Sequence, residues 1–193
     1  MMLRRLIVTG PNGAGKSYFA KLLAAARPDV PVFSFDAIKL ASNWNRRPQA
    51  EIDAELLQVV QGDAWILEVG PSLLPYAIKH ADGVMWLEPS EWLRAWRLAI
   101  RPLRSVGRTR PELPQGNVDW PWDQYKFAIR SLRNRTKFRT SISRQLAATE
   151  GLRVWHIRNA RDLASALDVW GSELSPERLD CGGSGGIDVA ALG

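Results

Sequence analysis

Eight residues near the start of the chain constrain it more than any others: Gly10-Pro11-Asn12-Gly13-Ala14-Gly15-Lys16-Ser17. Glycines at 10, 13 and 15 let the backbone bend and come close to a ligand where a Cβ would clash. Amides in such a loop can turn inward around a phosphate, the lysine adds a compact positive charge, and the following hydroxyl is placed to ligate Mg²⁺. The spacing is that of the Walker A phosphate-binding loop. Its neighbours supply the required context. Leu6-Ile7-Val8-Thr9 is short, apolar and β-branched, which reads as a buried strand. Phe19, Leu22, Leu23 and Ala26 then fall at i, i+3, i+4 and i+7, a helical stripe. Residues 10–17, together with Tyr18 just inside that helix, are the expected nucleotide contacts.

The chain has 193 residues, enough for one domain with a sizeable core. A single cysteine, Cys181, excludes an intrachain disulfide and suits a reducing compartment. The apolar run before Gly10 is too short for a signal-peptide core, and no later run approaches a membrane span. A cytoplasmic protein with no membrane role is expected. The oligomeric state is left open. The net charge of +6 is unevenly placed. Between Arg94 and Arg144 there are 13 Lys/Arg against 3 Asp/Glu. So basic a block asks for an anionic partner, and nucleotide phosphates and nucleic acid both qualify.

Apolar runs and helical stripes alternate along the chain. Strands are expected at 3–9, Val30–Phe35, Ala64–Val69, Val84–Leu87 and Leu152–Ile157. Helices are expected from the phosphate loop to Ala26, from Pro48 to about Gln61, around Leu73–His80, from Ser90 onward, and at Arg161–Trp170. One long basic helix is read from about Trp120 to Thr149. On the helix after Ser90, Trp92, Leu93, Trp96 and Ile100 share one face. Residues 37–47 read as irregular. The stretch from about 101 to 117 is basic, rich in Pro and Gly and poorly periodic, and reads as a mobile lid. Residues 171–193 read as a flexible Gly-rich tail behind a domain of residues 1–170. Most of the nine tryptophans are expected in the core or in cleft walls. The alternation predicts an α/β fold, a five-stranded parallel sheet with helices on both faces. Ligands in such sheets sit beyond the carboxyl ends of the strands. Gly10, Asp36 and Glu68 all fall at expected strand ends, so they should converge on one cleft.

These pieces resemble the adenylate-kinase-like P-loop proteins known as DNA-topology modulation proteins, within the nucleoside and nucleotide kinase fold. The resemblance rests on Gly10–Ser17, on Phe35-Asp36-Ala37-Ile38, on Trp65-Ile66-Leu67-Glu68, and on Trp86-Leu87-Glu88 through Arg94-Ala95-Trp96-Arg97 to Gly107-Arg108-Thr109-Arg110-Pro111-Glu112-Leu113. It spans roughly residues 3–170 and implies a three-layer kinase-like domain. One departure stands out. Relatives usually carry Asp-Gly-Asn-Tyr after the third strand, whereas this chain has Glu68-Val69-Gly70-Pro71-Ser72.

Roles follow. Phosphoryl transfer needs positioning and charge neutralisation. Lys16 and the loop amides supply part of this, with ATP as donor and Mg²⁺ at Ser17. Asp36 sits where related kinases hold an acceptor hydroxyl or a metal-bound water; its other reading is a helix N-cap. Glu68, in a buried-looking strand, is either a Mg²⁺ contact through water or the partner of an arginine. Arg97, Arg101, Arg104, Arg108 and Arg110 are candidates to clamp the transferring group, Arg101 and Arg108 foremost, because a planar guanidinium matches phosphate oxygens. Arg158 follows the fifth strand, where this fold usually holds the adenine. His80 and His156 show no metal-ligand spacing. The expected function is a kinase moving the γ-phosphoryl group of ATP to a small acceptor, most plausibly a nucleoside or nucleotide. The alternative is a nucleotide-dependent nucleic-acid-binding or regulatory protein, for which no base-reading motif is present. A GTPase switch is disfavoured by the lack of an Asn-Lys-x-Asp signature.

Overall fold

The computed structural model describes residues 3–104, 114–117 and 121–172. Five strands, β1 (Arg5–Thr9), β2 (Val32–Ser34), β3 (Trp65–Val69), β4 (Gly83–Leu87) and β5 (Arg153–Ile157), form one parallel sheet in the order β2-β3-β1-β4-β5. Among the described residues, eight α-helices surround it: α1 (Lys16–Ala26), α2 (Phe35–Lys39), α3 (Gln49–Gln61), α4 (Leu74–Ala77), α5 (Glu91–Arg104), α6 (Pro121–Arg133), α7 (Arg135–Ala147) and α8 (Ala160–Ser172). This is the expected α/β class.

The two-residue period of the strands divides the core into two layers. Ile7, Trp65, Leu67, Val69, Val84 and Trp86 face α3, α4 and α7, where they meet Ile52, Leu56, Val60, Leu74 and Ile142. Leu6, Val8, Ile66, Met85, Leu87 and Ile157 face α1 and α8, against Phe19, Leu23, Ala166 and Trp170. Alternation therefore sends Glu68, two residues on from Ile66, toward the α1 side. Trp170 ties α8 to α1 by donating from Nε1 to the Leu23 carbonyl at 2.9 Å. The Arg27 guanidinium lies 4.4 Å from the Trp170 ring centre and donates to the Leu3 carbonyl at 2.6 Å. A buried cation at the end of α1 thus has a backbone acceptor, an aromatic face and a carboxylate, Asp29 at 3.2 Å from Nη2.

Three expectations are corrected. The single helix over 120–149 is two, α6 and α7, separated at Asn134 (φ −88°, ψ 10°). Asparagine competes poorly in helix interiors. The like charges flanking it, including Arg133 and Lys137 four residues apart, oppose a continuous helix. Residues 35–39, read as the end of a strand and the start of an irregular stretch, form the short helix α2. On α5, the face bearing Trp92 and Trp96 points to solvent (83% and 60% exposed), while Arg94 is 1% exposed. That helix is oriented by its arginine seam, which docks on the phosphate loop. Among the described tryptophans, Trp65, Trp86 and Trp170 are buried, whereas Trp44, Trp92, Trp96 and Trp122 are exposed. α5 runs through Arg104, into the segment read as a lid, and α8 ends at Ser172; residues 105–113 and 173–193 lie outside the described residues. No helix among the described residues is long and apolar enough to cross a membrane.

Candidate active site

Strand β1 ends at Thr9 and delivers Gly10 beside the end of β4. Gly10 has φ +149°, and a Cβ there would lie 2.4 Å from the Leu87 carbonyl oxygen. Only glycine permits this approach of loop to strand. Gly13 (φ +80°) packs closely on α5, where a Cβ would stand 2.9 Å from the Leu98 Cγ. Helix α5 grips the loop through charge as well. Arg94 donates from Nε to the Asn12 carbonyl at 3.2 Å, and Arg97 donates from Nη1 to the Ala14 carbonyl at 3.0 Å. Arg94 is held by Glu91, whose two carboxylate oxygens both lie 2.8 Å from Nη1. Arg97, read as a phosphate clamp, thus commits a donor to the loop backbone itself, and Arg94 does the same.

Lys16 and Ser17 open α1. Burial draws the Lys16 ammonium below its ordinary pKa. The carboxylates of Glu68 and Asp36 push it back up, and Arg101 and Arg94 add to the lowering. A lysine strained in this way is an anion site by electrostatics. The Ser17 hydroxyl donates to Glu68 Oε1 at 3.1 Å. The two are 51 residues apart and meet because β3 pairs with β1, Val8 standing opposite Glu68. A hydroxyl and a carboxylate in contact beside the phosphate loop fit Mg²⁺, which takes one or two protein ligands and fills its octahedron with water and phosphate oxygens. Among the described residues there is no cluster of three or more His, Cys, Asp or Glu side chains that could hold a metal ion.

A cavity of about 900 Å³ extends from the loop across the carboxyl ends of β1, β2 and β3. It brings together Asn12, Gly13, Gly15, Lys16, Ser17 and Tyr18 with Asp36, Glu68 and Arg101. Asp36 lies in the first turn of α2, with Ser34 at the N-cap position, and pairs with Lys39 Nζ at 2.5 Å. Four aromatic rings also line it: Phe35, Trp44, Phe127 and Phe138. Sequence reasoning missed Lys39 and these rings. The three-residue spacing of Asp36 and Lys39 was the available signal for the pair. The rings come from four separate stretches and only the fold joins them.

Arg158 is not among the residues lining this cavity. Its Nη2 stands 2.9 Å from His156 Nδ1. His156 stacks on Trp86 (centroids 4.2 Å apart, planes 6°) and contacts Glu88 Oε2 at 2.7 Å through Nε2. Arg139 of α7 joins Glu88 at 3.0 Å. This second polar network ties α7 to the ends of β4 and β5. Arg108 and Arg110 lie outside the described residues. The outer faces of α6 and α7 expose Lys126, Arg130, Arg133, Arg135, Lys137 and Arg139.

No family model matches the chain, and no curated protein matches it. Solved structures do. The chain is similar to TT1252 from Thermus thermophilus, with a TM-score of 0.54 at 16% identity over 91% of this chain and 100% of that one. It is also similar to shikimate kinase from Acinetobacter baumannii, solved in complex with shikimate, with a TM-score of 0.50 at 16% identity over 86% and 89% of the two chains. Identities this low speak for the fold alone. The five-stranded parallel sheet between helical layers, entered through a glycine loop after its central strand, is the three-layer fold of the P-loop kinases.

Proposed function

We propose that the protein is an ATP- and Mg²⁺-dependent phosphotransferase acting on a small hydroxyl-bearing acceptor of the nucleoside or nucleotide class, in the cytoplasm. The observation that carries this reading is the joining of Lys16, the Ser17–Glu68 pair and Asp36 around one cavity. Lys16 neutralises the β- and γ-phosphates of the donor, and the loop amides hold the β-phosphate. Ser17 and Glu68 would hold Mg²⁺, which would supply positive charge to offset that of the phosphates. Asp36, held by Lys39, accepts a hydrogen bond from the acceptor hydroxyl and takes its proton as the new O–P bond forms and the bond to ADP breaks. Arg101, with Arg108 from the lid, meets the charge on the transferring group. The resemblance to adenylate-kinase-like proteins supports the same assignment. The exposed cations of α6 and α7 favour a second reading, salt-sensitive nucleic-acid binding by that face.

The test is ATP consumption by the purified chain with Mg²⁺ across nucleosides, nucleoside monophosphates and small hydroxy compounds. One acceptor class should stimulate turnover, and Lys16→Ala should abolish it. Tight ATP binding without stimulation by any acceptor refutes the kinase reading.

A further inference from the structure

The loop after α2 carries an unusual turn. Leu40 and Arg46 form an antiparallel bridge, and the Ala41 N–H donates to the Asn45 carbonyl at 2.8 Å. The Asn45 N–H donates to the Ser42 carbonyl at 3.3 Å, closing a four-residue turn. Its central residues, Asn43 (φ 58°) and Trp44 (φ 59°), are both left-handed. This is the type I′ hairpin geometry, for which Asn followed by Gly is strongly preferred. Asn43 conforms. Trp44 occupies the glycine position, where a bulky side chain is sterically strained.

The strain is held from one side. Asn117 is fully buried. Its Oδ1 accepts from the Trp44 N–H at 2.5 Å, and its Nδ2 donates to the Ala41 carbonyl at 3.0 Å and the Pro114 carbonyl at 2.9 Å. A buried amide that satisfies donor and acceptor together fixes the turn in one geometry. The result is an indole that stays 41% exposed while lining the cavity that contains Asp36 and Lys16. Strain of this kind, kept in place by a buried polar clamp at a cavity wall, is the signature of a functional residue. Phe127 and Phe138 continue the aromatic lining.

We propose that Trp44 is the acceptor-specificity residue: it stacks on a planar heteroaromatic ring, so the acceptor is recognised by its base and a ringless polyol is not. This rests on the kinase reading for the identity of the site, but its test does not need turnover. Nucleoside binding is measured by calorimetry on the full chain with Mg²⁺ and a non-hydrolysable ATP analogue, using adenosine, guanosine, cytidine and thymidine, with glycerol and sorbitol as ringless probes. Thermal midpoints are taken for every variant. At least one nucleoside is expected to bind and neither ringless probe to do so. Trp44→Gly should weaken that nucleoside about tenfold or more, the scale of one base–aromatic stack, while the analogue binds as before and the midpoint stays level or rises. Trp44→Phe should retain most of the affinity. The inference is overturned if no nucleoside binds, if a ringless probe binds instead, or if Trp44→Gly lowers the midpoint and leaves nucleoside affinity intact. Nucleoside binding lost in Trp44→Gly, with no turnover on any acceptor, upholds the stacking role and refutes only the kinase reading.

Discussion

Gly10→Ala isolates the packing of the phosphate loop against the sheet. The new Cβ begins 2.4 Å from the Leu87 carbonyl oxygen, and separations under 3.0 Å essentially never occur, so loop and strand must part by at least 0.6 Å. The atom in the way is backbone, at the end of a strand hydrogen-bonded into the sheet on both sides. No side-chain rotation relieves it. Overpacking of this kind costs about 1–3 kcal/mol. The φ of +149° adds a backbone penalty of about 1–2 kcal/mol for a residue with a Cβ. A total of about 3 kcal/mol lowers the thermal midpoint of a chain this size by about 6–12 °C. Gly70→Ala is the control: its Cβ meets nothing within 4 Å, and its midpoint should move by less than about 2 °C. Circular dichroism melts of both variants decide the matter. A Gly10→Ala protein that melts with the Gly70→Ala control refutes the argument that close approach to β4 demands glycine here.

Further outcomes follow from the charges around the loop. The folded protein holds the Lys16 pKa below its ordinary 10.5, so between the folded and unfolded values the unfolded chain binds more protons. Stability therefore rises with pH through that window. Denaturation midpoints of wild type against Lys16→Met should show this rise in the wild type alone, with the variant the more stable at neutral pH. An equal slope in both contradicts the assignment. Arg94→Ala removes a buried guanidinium and leaves the Asn12 carbonyl without its donor. A loss of about 2–4 kcal/mol in urea unfolding is expected, together with weaker ATP binding, because the loop loses its support from α5. A loss under about 0.5 kcal/mol makes the docking of α5 incidental.

Much of the frame is written in short-range pattern. The apolar runs of β1, β3 and β4 are nearly continuous because helices cover both faces of the sheet, and such runs are readable as buried strands. The phosphate loop is readable because its glycines stand at positions that sterics require. Alternation along β3 even decides which side of the sheet Glu68 faces. What escaped local reading depends on neighbours distant in sequence. α5 reads as a helix with an apolar Trp face, but the Arg94–Asn12 contact turns that face outward. The turn at Asn43-Trp44 lacks the glycine that signals its type and is imposed by Asn117, 73 residues away from Trp44. The break at Asn134 sits where weak helix propensity and charge repulsion coincide. Ser17 and Glu68 both stood out as metal-ligand candidates, but their direct contact follows from strand order rather than spacing.

The reaction proposed for this cleft is phosphoryl transfer to an acceptor hydroxyl. The most direct measurement is mass spectrometry of a mixed nucleoside and nucleotide panel after incubation with Mg²⁺ and ATP, comparing wild type with Lys16→Ala and Asp36→Asn. One acceptor class should gain a single phosphoryl group, in amounts matching the ADP formed, with no such product from Lys16→Ala and a strong reduction in Asp36→Asn. ADP accumulating in the wild type without any phosphorylated acceptor, or product formation indifferent to both substitutions, contradicts it.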